Sequence, residues 1–231
     1  MNVRMGLIRK KPEWTTERFW QYWRETHGPI AARVPNLREY WQNAVIERPQ
    51  HGIDLARGPW ELDGFSQLWF DDPRQAAHAF KDSELAAALM ADEQHFLGGL
   101  HIVTASQHVF VPIPEGPERA ALSKRISILK RRPDLSEEDF HREWTVHRDL
   151  VCEMPGVRGY RQNVVIARER VKGQPSSYDD LPIDGVGELW FENAAASEVA
   201  FSSVAGQAAM SHARAFLAEA TAFLVVEHRV V

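Results

Sequence analysis

Cysteine and long apolar segments are both scarce in this chain of 231 residues. The single cysteine, Cys152, excludes an intramolecular disulfide and the cysteine-rich zinc patterns. No apolar run approaches the ~20 residues that span a bilayer, and the N-terminus has no signal-peptide pattern. We therefore expect a cytoplasmic protein that does not associate with membranes.

An excess of positive charge is also missing. The formal net charge of −5 and the pI near 6.1 argue against a nucleic-acid partner. Glycine-rich phosphate loops, a Ser-His-Asp order and a His-Glu-x-x-His motif are absent from the sequence. Nucleotide hydrolysis, esterase activity and zinc proteolysis therefore have no support.

One stretch of the chain occurs twice, at residues 3–43 and 124–163. Each copy starts with a short apolar strand, which a basic tripeptide and a proline end. A helix follows, with Thr15 or Ser136 as its capping residue. A second strand then begins with an aromatic residue and ends in asparagine. The repetition predicts two domains built in the same way.

The match continues through the rest of each copy. Asp63 and Asp184 each precede a glycine and an apolar strand that ends in Trp-Phe. Alanine-rich helical stretches and a fourth strand follow in both copies. We predict domains at 1–111 and 122–231, each about 110 residues long, joined by a linker at 112–121.

The element order of each half is β-α-β-β-α-β, which predicts a ferredoxin-like unit with helices on one face of a four-stranded antiparallel sheet. The third and fourth strands are too apolar for the other face to remain bare. We therefore expect the two sheets to cover each other as an intrachain barrel of the α+β class, with pseudo-twofold symmetry. The sequence leaves open whether two copies of this chain pair as a further homodimer.

These motifs together resemble the EthD family, in the dimeric α/β-barrel superfamily. The matching features are the basic-Pro step, the Phe-x-x-x-Trp helix that ends in histidine, the Pro-x-x-x-x-Tyr-x-x-Asn strand and the Asp-Gly step. The resemblance spans both halves and implies a barrel of two ferredoxin-like sheets. The family includes methylmuconolactone isomerases, polyketide-tailoring decarboxylases and dehydratases, and accessory proteins of ether and aromatic degradation. The resemblance thus implies a pocket rather than one reaction.

A histidine ends the inward face of the first helix in each repeat. His27 follows Trp23 by four residues and His147 follows Trp144 by three, and both spacings return to the same helix face. An imidazole in this position suits proton transfer near neutral pH without a cofactor. A helix-end histidine stabilised by the helix dipole explains the position equally well.

A tyrosine recurs in the second strand, as Tyr40 and Tyr160. A phenol there can donate to a developing enolate oxygen, and ordinary aromatic packing is the alternative. The isomerase branch of the family implies a further histidine in the next loop, which would be His51. The second half has none there, so the first half is the stronger candidate for activity. That branch also uses cysteines, which the first half lacks, so a close methylmuconolactone isomerase is not expected.

Further residues are candidates for substrate binding because an aromatic-lined pocket with a few polar groups suits a planar or cyclic apolar ligand. They are Trp20, Trp23, Trp41, Arg4, Asn43 and Asn163. Core packing is the alternative for the tryptophans, and a structural ion pair is the alternative for Arg4. His108 and His228 recur in the last strands, but no acidic or cysteine ligand completes a metal set, so no metal is predicted.

The leading hypothesis is a cofactor-independent lyase, isomerase or cyclase that moves a proton on a small apolar ring compound. His27 acts as general base or acid, Tyr40 donates a hydrogen bond and His51 is a second acid–base group, with His147 and Tyr160 as counterparts. One alternative is a non-catalytic ligand-binding protein of a degradation pathway. The other is an oxygenase, either without a cofactor or with haem.

Overall fold

The computed structural model describes residues 1–48, 50, 52–70 and 84–231. Its strands are β1 (Asn2–Lys10), β2 (Leu37–Glu47), β3 (Gly64–Phe70), β4 (Leu97–Val111), β5 (Ser123–Arg131), β6 (Val157–Val171), β7 (Gln174–Pro175), β8 (Gly185–Phe191) and β9 (Leu217–Arg229). Its α-helices are α1 (Thr16–Tyr22), α2 (Gly28–Ala31), α3 (Glu84–Phe96), α4 (Gly116–Ala120), α5 (Glu137–Cys152), α6 (Ala194–Ser202) and α7 (Val204–Phe216). None of these helices has the length and apolar character needed to cross a membrane.

Eight of the strands form a closed antiparallel barrel in the order β4-β1-β3-β2-β9-β5-β8-β6, with β6 returning to β4. The second strand of each repeat pairs with the last strand of the other, β2 with β9 and β6 with β4. This reciprocal pairing is what a pseudo-twofold axis requires. The predicted intrachain barrel of two ferredoxin-like repeats is confirmed.

The barrel has two packing surfaces, because successive side chains of a strand point to opposite faces. On β1, Val3, Met5 and Leu7 are fully buried in the barrel core, where Phe65 and Phe223 pack edge to face at 5.2 Å between ring centroids. Each large apolar side chain buried in this way contributes about 1.5–3 kcal/mol. The outer face of each four-stranded sheet is covered by the helices of the same repeat.

Charged and amide side chains are also buried inside the barrel. Lys124 is 1% exposed, and its Nζ lies 2.6 Å from Glu188 Oε2, 3.0 Å from Glu227 Oε1 and 2.8 Å from Asn43 Oδ1. Asn43 belongs to the first repeat, whereas the other three belong to the second. This cluster therefore ties the two repeats together through a buried ammonium that is paired on several sides.

Both predicted helix starts are confirmed. Ser136 and Asp139 form a capping box, in which Asp139 N donates to Ser136 Oγ (3.1 Å) and Ser136 N donates to Asp139 Oδ2 (3.3 Å). Arg18 N donates to Thr15 Oγ1 at 3.2 Å at the start of α1. The two helices therefore begin at equivalent points of the two repeats.

The one-residue difference between the first helices has a structural cause. In the first repeat, α1 continues into a π-helical turn over Trp23–His27, where Gly28 N donates to Trp23 O. In the second repeat, α5 remains α-helical throughout. The wider turn absorbs the additional residue, so His27 and His147 both face inward and are each 7% exposed.

The second alanine-rich stretch breaks into two helices at Ser203, which caps α7 by accepting from Gly206 N at 3.0 Å. In the first repeat, the predicted helical stretch up to residue 83 lies outside the described residues. The second strand of the second repeat is longer than its counterpart in the first repeat, since β6 extends to Val171 and pairs with β7. Strand β4 pairs with β6 as far as Glu169, and β7 pairs with β6 from Glu169 to Val171.

Candidate active site

The first repeat has a cavity of about 50 Å³ between the outer face of its sheet and its helices. Its polar lining residues are Arg4, His27, Tyr40, Ser66, Glu93 and Lys172. The volume suffices for ordered water but is well below the several hundred Å³ of a typical ligand pocket. A ring compound can therefore enter only if the segments that cover the cavity move.

His27 is held by a carboxylate. Its Nδ1 lies 2.7 Å from Asp92 Oδ2 on α3, and Tyr22 donates its hydroxyl proton to Asp92 Oδ1 at 2.5 Å. Burial opposes ionisation of Asp92, but the bonds from His27 and Tyr22 outweigh burial and lower the pKa of Asp92. The ionised carboxylate fixes the Nδ1–H tautomer, which leaves Nε2 for a molecule in the cavity.

Tyr40 supplies a neutral hydrogen-bond donor beside this histidine. Burial raises the pKa of Tyr40 well above its usual value. Gln42 Nε2 donates to the Tyr40 hydroxyl at 3.1 Å and to Trp23 O at 2.7 Å, which links the strand to the π-helical turn. Because the phenol oxygen accepts this bond, its own O–H remains a donor.

The second repeat has an equivalent cavity of about 60 Å³, lined by His147, Tyr160 and mostly apolar side chains. Gln162 Nε2 again donates to the Tyr160 hydroxyl, at 2.7 Å. His212 stacks on His147 with 5.6 Å between ring centroids. Within the described ranges no carboxylate contacts His147, and burial, together with His212, lowers the pKa of His147 to about 3. This imidazole is therefore neutral near pH 7.

Each cavity is closed by the other repeat. Lys172, in the turn after β6, reaches the first cavity, where its Nζ lies 2.6 Å from Glu93 Oε1. Glu169 on β6 forms a bidentate ion pair with Arg4, in which Arg4 Nη2 donates to Glu169 Oε2 at 2.8 Å. Ile53 of the first repeat lines the second cavity in return. The halves are thus mutually dependent at both sites.

The structure brings together only some of the residues that the sequence put forward. Those that line the first cavity are His27, Tyr40, Arg4 and Trp23, and those that line the second are His147 and Tyr160. Trp20 packs in the apolar cluster beside Trp23. The Arg4–Glu169 contact matches the ion-pair alternative for Arg4.

The other sequence candidates lie elsewhere. Asn43 and Asn163 hydrogen-bond inside the barrel, and Trp41 lines a cleft at the barrel end, where the Arg119 guanidinium lies 3.6 Å from its ring centroid. His51 lies outside the described residues, so its role stays a prediction. Sequence reasoning missed Asp92, Gln42, Glu93 and Lys172. A repeated Tyr-x-Gln spacing was the one local signal, and it marked Gln42.

A barrel of two ferredoxin-like repeats with a histidine site under the helices defines a dimeric α/β-barrel protein. The family model for the EthD domain matches residues 11–99 and 132–220. The chain therefore belongs to the EthD domain family and carries the domain twice. The 4-carboxymethyl-4-methylbutenolide mutase of Pseudomonas reinekei is 30% identical over 105 residues, which are 45% of this chain and 96% of that protein. That relative therefore has about the length of one repeat.

Solved structures resemble the whole barrel. An anthrone oxidase-like protein has a TM-score of 0.67 at 10% identity, over 99% of this chain and 92% of that one. A putative monooxygenase from Lactobacillus acidophilus NCFM has a TM-score of 0.57 at 8% identity, over 100% and 94% of the two chains. At these identities the likeness is one of fold. Each neighbour covers both repeats with a single chain.

Proposed function

We propose that this protein is a small-molecule isomerase that moves a proton on a cyclic carbonyl compound in the first cavity. The observation that carries the proposal is the 2.7 Å contact between Asp92 and His27, whose imidazole lines the same cavity as the buried, neutral Tyr40. An imidazole backed by a carboxylate and a phenol donor are the parts that enolate chemistry requires.

In the proposed reaction His27 transfers a proton at Nε2 to or from a substrate carbon. When a carbon beside a carbonyl group loses its proton, the electron pair moves onto the carbonyl oxygen, and the Tyr40 O–H stabilises the oxyanion. Asp92 stabilises the imidazolium form of His27 without itself becoming protonated. A proton returned to a different carbon completes the isomerisation.

The second repeat supports the proposal by contrast. His147 and Tyr160 line its cavity, but the ring partner of His147 is His212 rather than a carboxylate. A neutral imidazole with a pKa of about 3 is a poor acid–base group near pH 7. We assign turnover to the first cavity alone.

The mutase relative points to butenolides as the first probes, and a but-3-enolide is a cyclic ester with acidic protons on the ring carbon beside the carbonyl. The test follows a but-3-enolide by proton NMR in D₂O, with 4-carboxymethyl-4-methylbutenolide, other lactones and phenolic acids run in parallel. We expect wild type to isomerise one of these compounds, His27→Ala to be at least about 100-fold slower and His147→Ala to stay within a few-fold of wild type. Undiminished turnover by folded His27→Ala contradicts the proposal.

A further inference from the structure

Helix α3 presents two adjacent carboxylates in different directions. Leu89, Glu93 and Phe96 follow the i, i+4, i+7 spacing of one helix face, and all three line the first cavity. Asp92 contacts His27 Nδ1 instead. One turn of α3 therefore places a carboxylate behind the imidazole ring and a second carboxylate at the cavity wall.

The second carboxylate is fixed by the other repeat. Lys172 Nζ lies 2.6 Å from Glu93 Oε1, and the two side chains are 10% and 16% exposed. An ammonium at this distance stabilises a negatively charged carboxylate, and more strongly away from bulk water. The pair is thus a charged oxygen base held at the wall of the cavity that contains His27 and Tyr40.

The second repeat shows that the fold does not need this pair. Because Met90 matches Met210 and Phe96 matches Phe216, the counterpart of Glu93 is Ala213. The second cavity is covered by Ile53 and Leu55, without a lysine among its lining residues. Apolar side chains therefore cover the cavity of the second repeat, whereas the Lys172–Glu93 ion pair lies at the wall of the first cavity.

We infer that Glu93 is a second acid–base residue of the first cavity, and that Lys172 positions its carboxylate from the opposite repeat. The inference rests on the proposed proton transfer, which needs one group to remove a proton and another to deliver one. His51 was predicted for the second role from sequence, and the described cavity lining contains Glu93.

The assignment gives a balanced cycle. The Glu93 carboxylate takes a proton from a carbon beside the carbonyl, and the C–H electron pair forms the enolate, whose oxygen accepts from Tyr40. The His27 imidazolium then gives its Nε2 proton to a different carbon, and the enolate electrons form the new C–H bond. The proton left on Glu93 returns to His27 through water, which restores both groups.

The experiment measures turnover and deuterium uptake into a but-3-enolide in D₂O, separately for each variant. We expect Glu93→Gln to lower kcat at least about 100-fold and to abolish uptake. In His27→Ala, turnover is lost but uptake continues, because Glu93 still removes and returns a proton. We expect Glu93→Asp, which keeps the carboxylate, to retain more uptake than Glu93→Gln, with the circular dichroism of both variants matching that of wild type.

Lys172 is tested as a positioning residue. We expect Lys172→Met to lower turnover and uptake together, and Lys172→Arg to restore most of both, since a cation is again available to Glu93. The matched control is Lys130→Met, because Lys130 Nζ forms a similar ion pair with Glu219 Oε1 at 2.8 Å and lines neither cavity. It should keep wild-type turnover.

The outcomes separate the two proposals. Near wild-type turnover in Glu93→Gln, with turnover lost in His27→Ala, overturns the role of Glu93 and leaves the proposed function intact. Turnover that survives in His27→Ala, or a wild-type protein without turnover or uptake, overturns the proposed function and this inference with it. The positioning role of Lys172 is overturned if Lys172→Met lowers turnover and uptake but Lys172→Arg does not restore them. It is also overturned if the control Lys130→Met loses turnover to the same extent.

Discussion

His27 Nδ1 lies 2.7 Å from Asp92 Oδ2, and the position that matches Asp92 in the second repeat is His212. One scaffold therefore holds two histidines in opposite electrostatic settings. The first imidazole has an ionised carboxylate at its back, whereas the second has a stacked ring and a pKa of about 3. The difference between the two halves is chemical rather than architectural.

Replacing Asp92 by Asn tests whether this carboxylate supports catalysis. An amide is a poor stabiliser of the imidazolium and permits the wrong tautomer, so we expect kcat to fall by about 100-fold or more. KM should change little, because Asp92 contacts His27 rather than the cavity. Steady-state kinetics of Asp92→Asn and of the control His212→Ala provide the measurement. Equal kcat values for the two variants would contradict a special role for Asp92.

Tyr40 and Tyr160 offer a matched pair of variants. Tyr40→Phe removes the O–H donor but keeps the buried ring, so we expect a loss in kcat of about 100-fold with nearly unchanged stability. Tyr160→Phe removes the equivalent group from the second cavity, and we expect turnover close to wild type. Kinetics and urea denaturation of both variants separate the two effects. A similar loss in both would show that the phenol acts through folding.

Most of the fold was predictable because its signals are local and occur twice. The helix starts at Thr15 and Ser136 each follow from a few neighbouring residues. The barrel was predictable because each of the two sheets in this chain has an apolar face, and the two faces can cover each other.

The site was predictable only in part, because His27 and Tyr40 recur whereas the carboxylates Asp92 and Glu93 do not. Asp92 is 65 positions away from His27, and its counterpart is a different residue. Lys172 is 79 positions away from Glu93 and comes from the other repeat. No periodicity marks a contact of that kind. The cross-repeat closure therefore emerges only from the three-dimensional pairing of β4 with β6.

The glycine of each Asp-Gly step should be intolerant of substitution. A Cβ on Gly64 would come within 2.6 Å of the Trp23 ring, and Gly185 stands in the same relation to Trp144. Overpacking of this type costs about 1–3 kcal/mol, so Gly64→Ala and Gly185→Ala should both lower the free energy of unfolding. Gly187→Ala is the control, since its Cβ would meet no heavy atom within 4 Å. Equal urea midpoints for all three variants would rule out this account.

Lys124 should be essential to stability unless its partner carboxylate is also removed. Burial favours the neutral form of Glu227, but the charges of Lys124 and Arg119 lower its pKa to about 2. Lys124→Met removes the ammonium that pairs with the buried Glu188, whereas Glu227 keeps its ion pair with Arg119, and we expect a cost of about 3–5 kcal/mol. The double variant Lys124→Val with Glu188→Gln copies the residues at the matched positions of the first repeat, and we expect it to recover much of the loss. Urea denaturation that finds the double variant less stable than the single one would refute the interpretation.

His147 predicts a specific pH dependence of stability. Burial and the neighbouring His212 lower its folded pKa from 6.5 to about 3, so the unfolded state binds the proton first as the pH falls. Stability should be unaffected by this group above pH 6.5 and should decline from there toward pH 3. Between pH 7 and pH 5, the free energy of unfolding should fall by about 2 kcal/mol more in wild type than in His147→Leu. His108→Leu, at an exposed position, should keep the wild-type slope. His147→Leu removes the buried imidazole whose low pKa causes this pH dependence. If the free energy of unfolding changes with pH in the same way in His147→Leu and in wild type, His147 is protonated in the folded protein and the prediction is wrong.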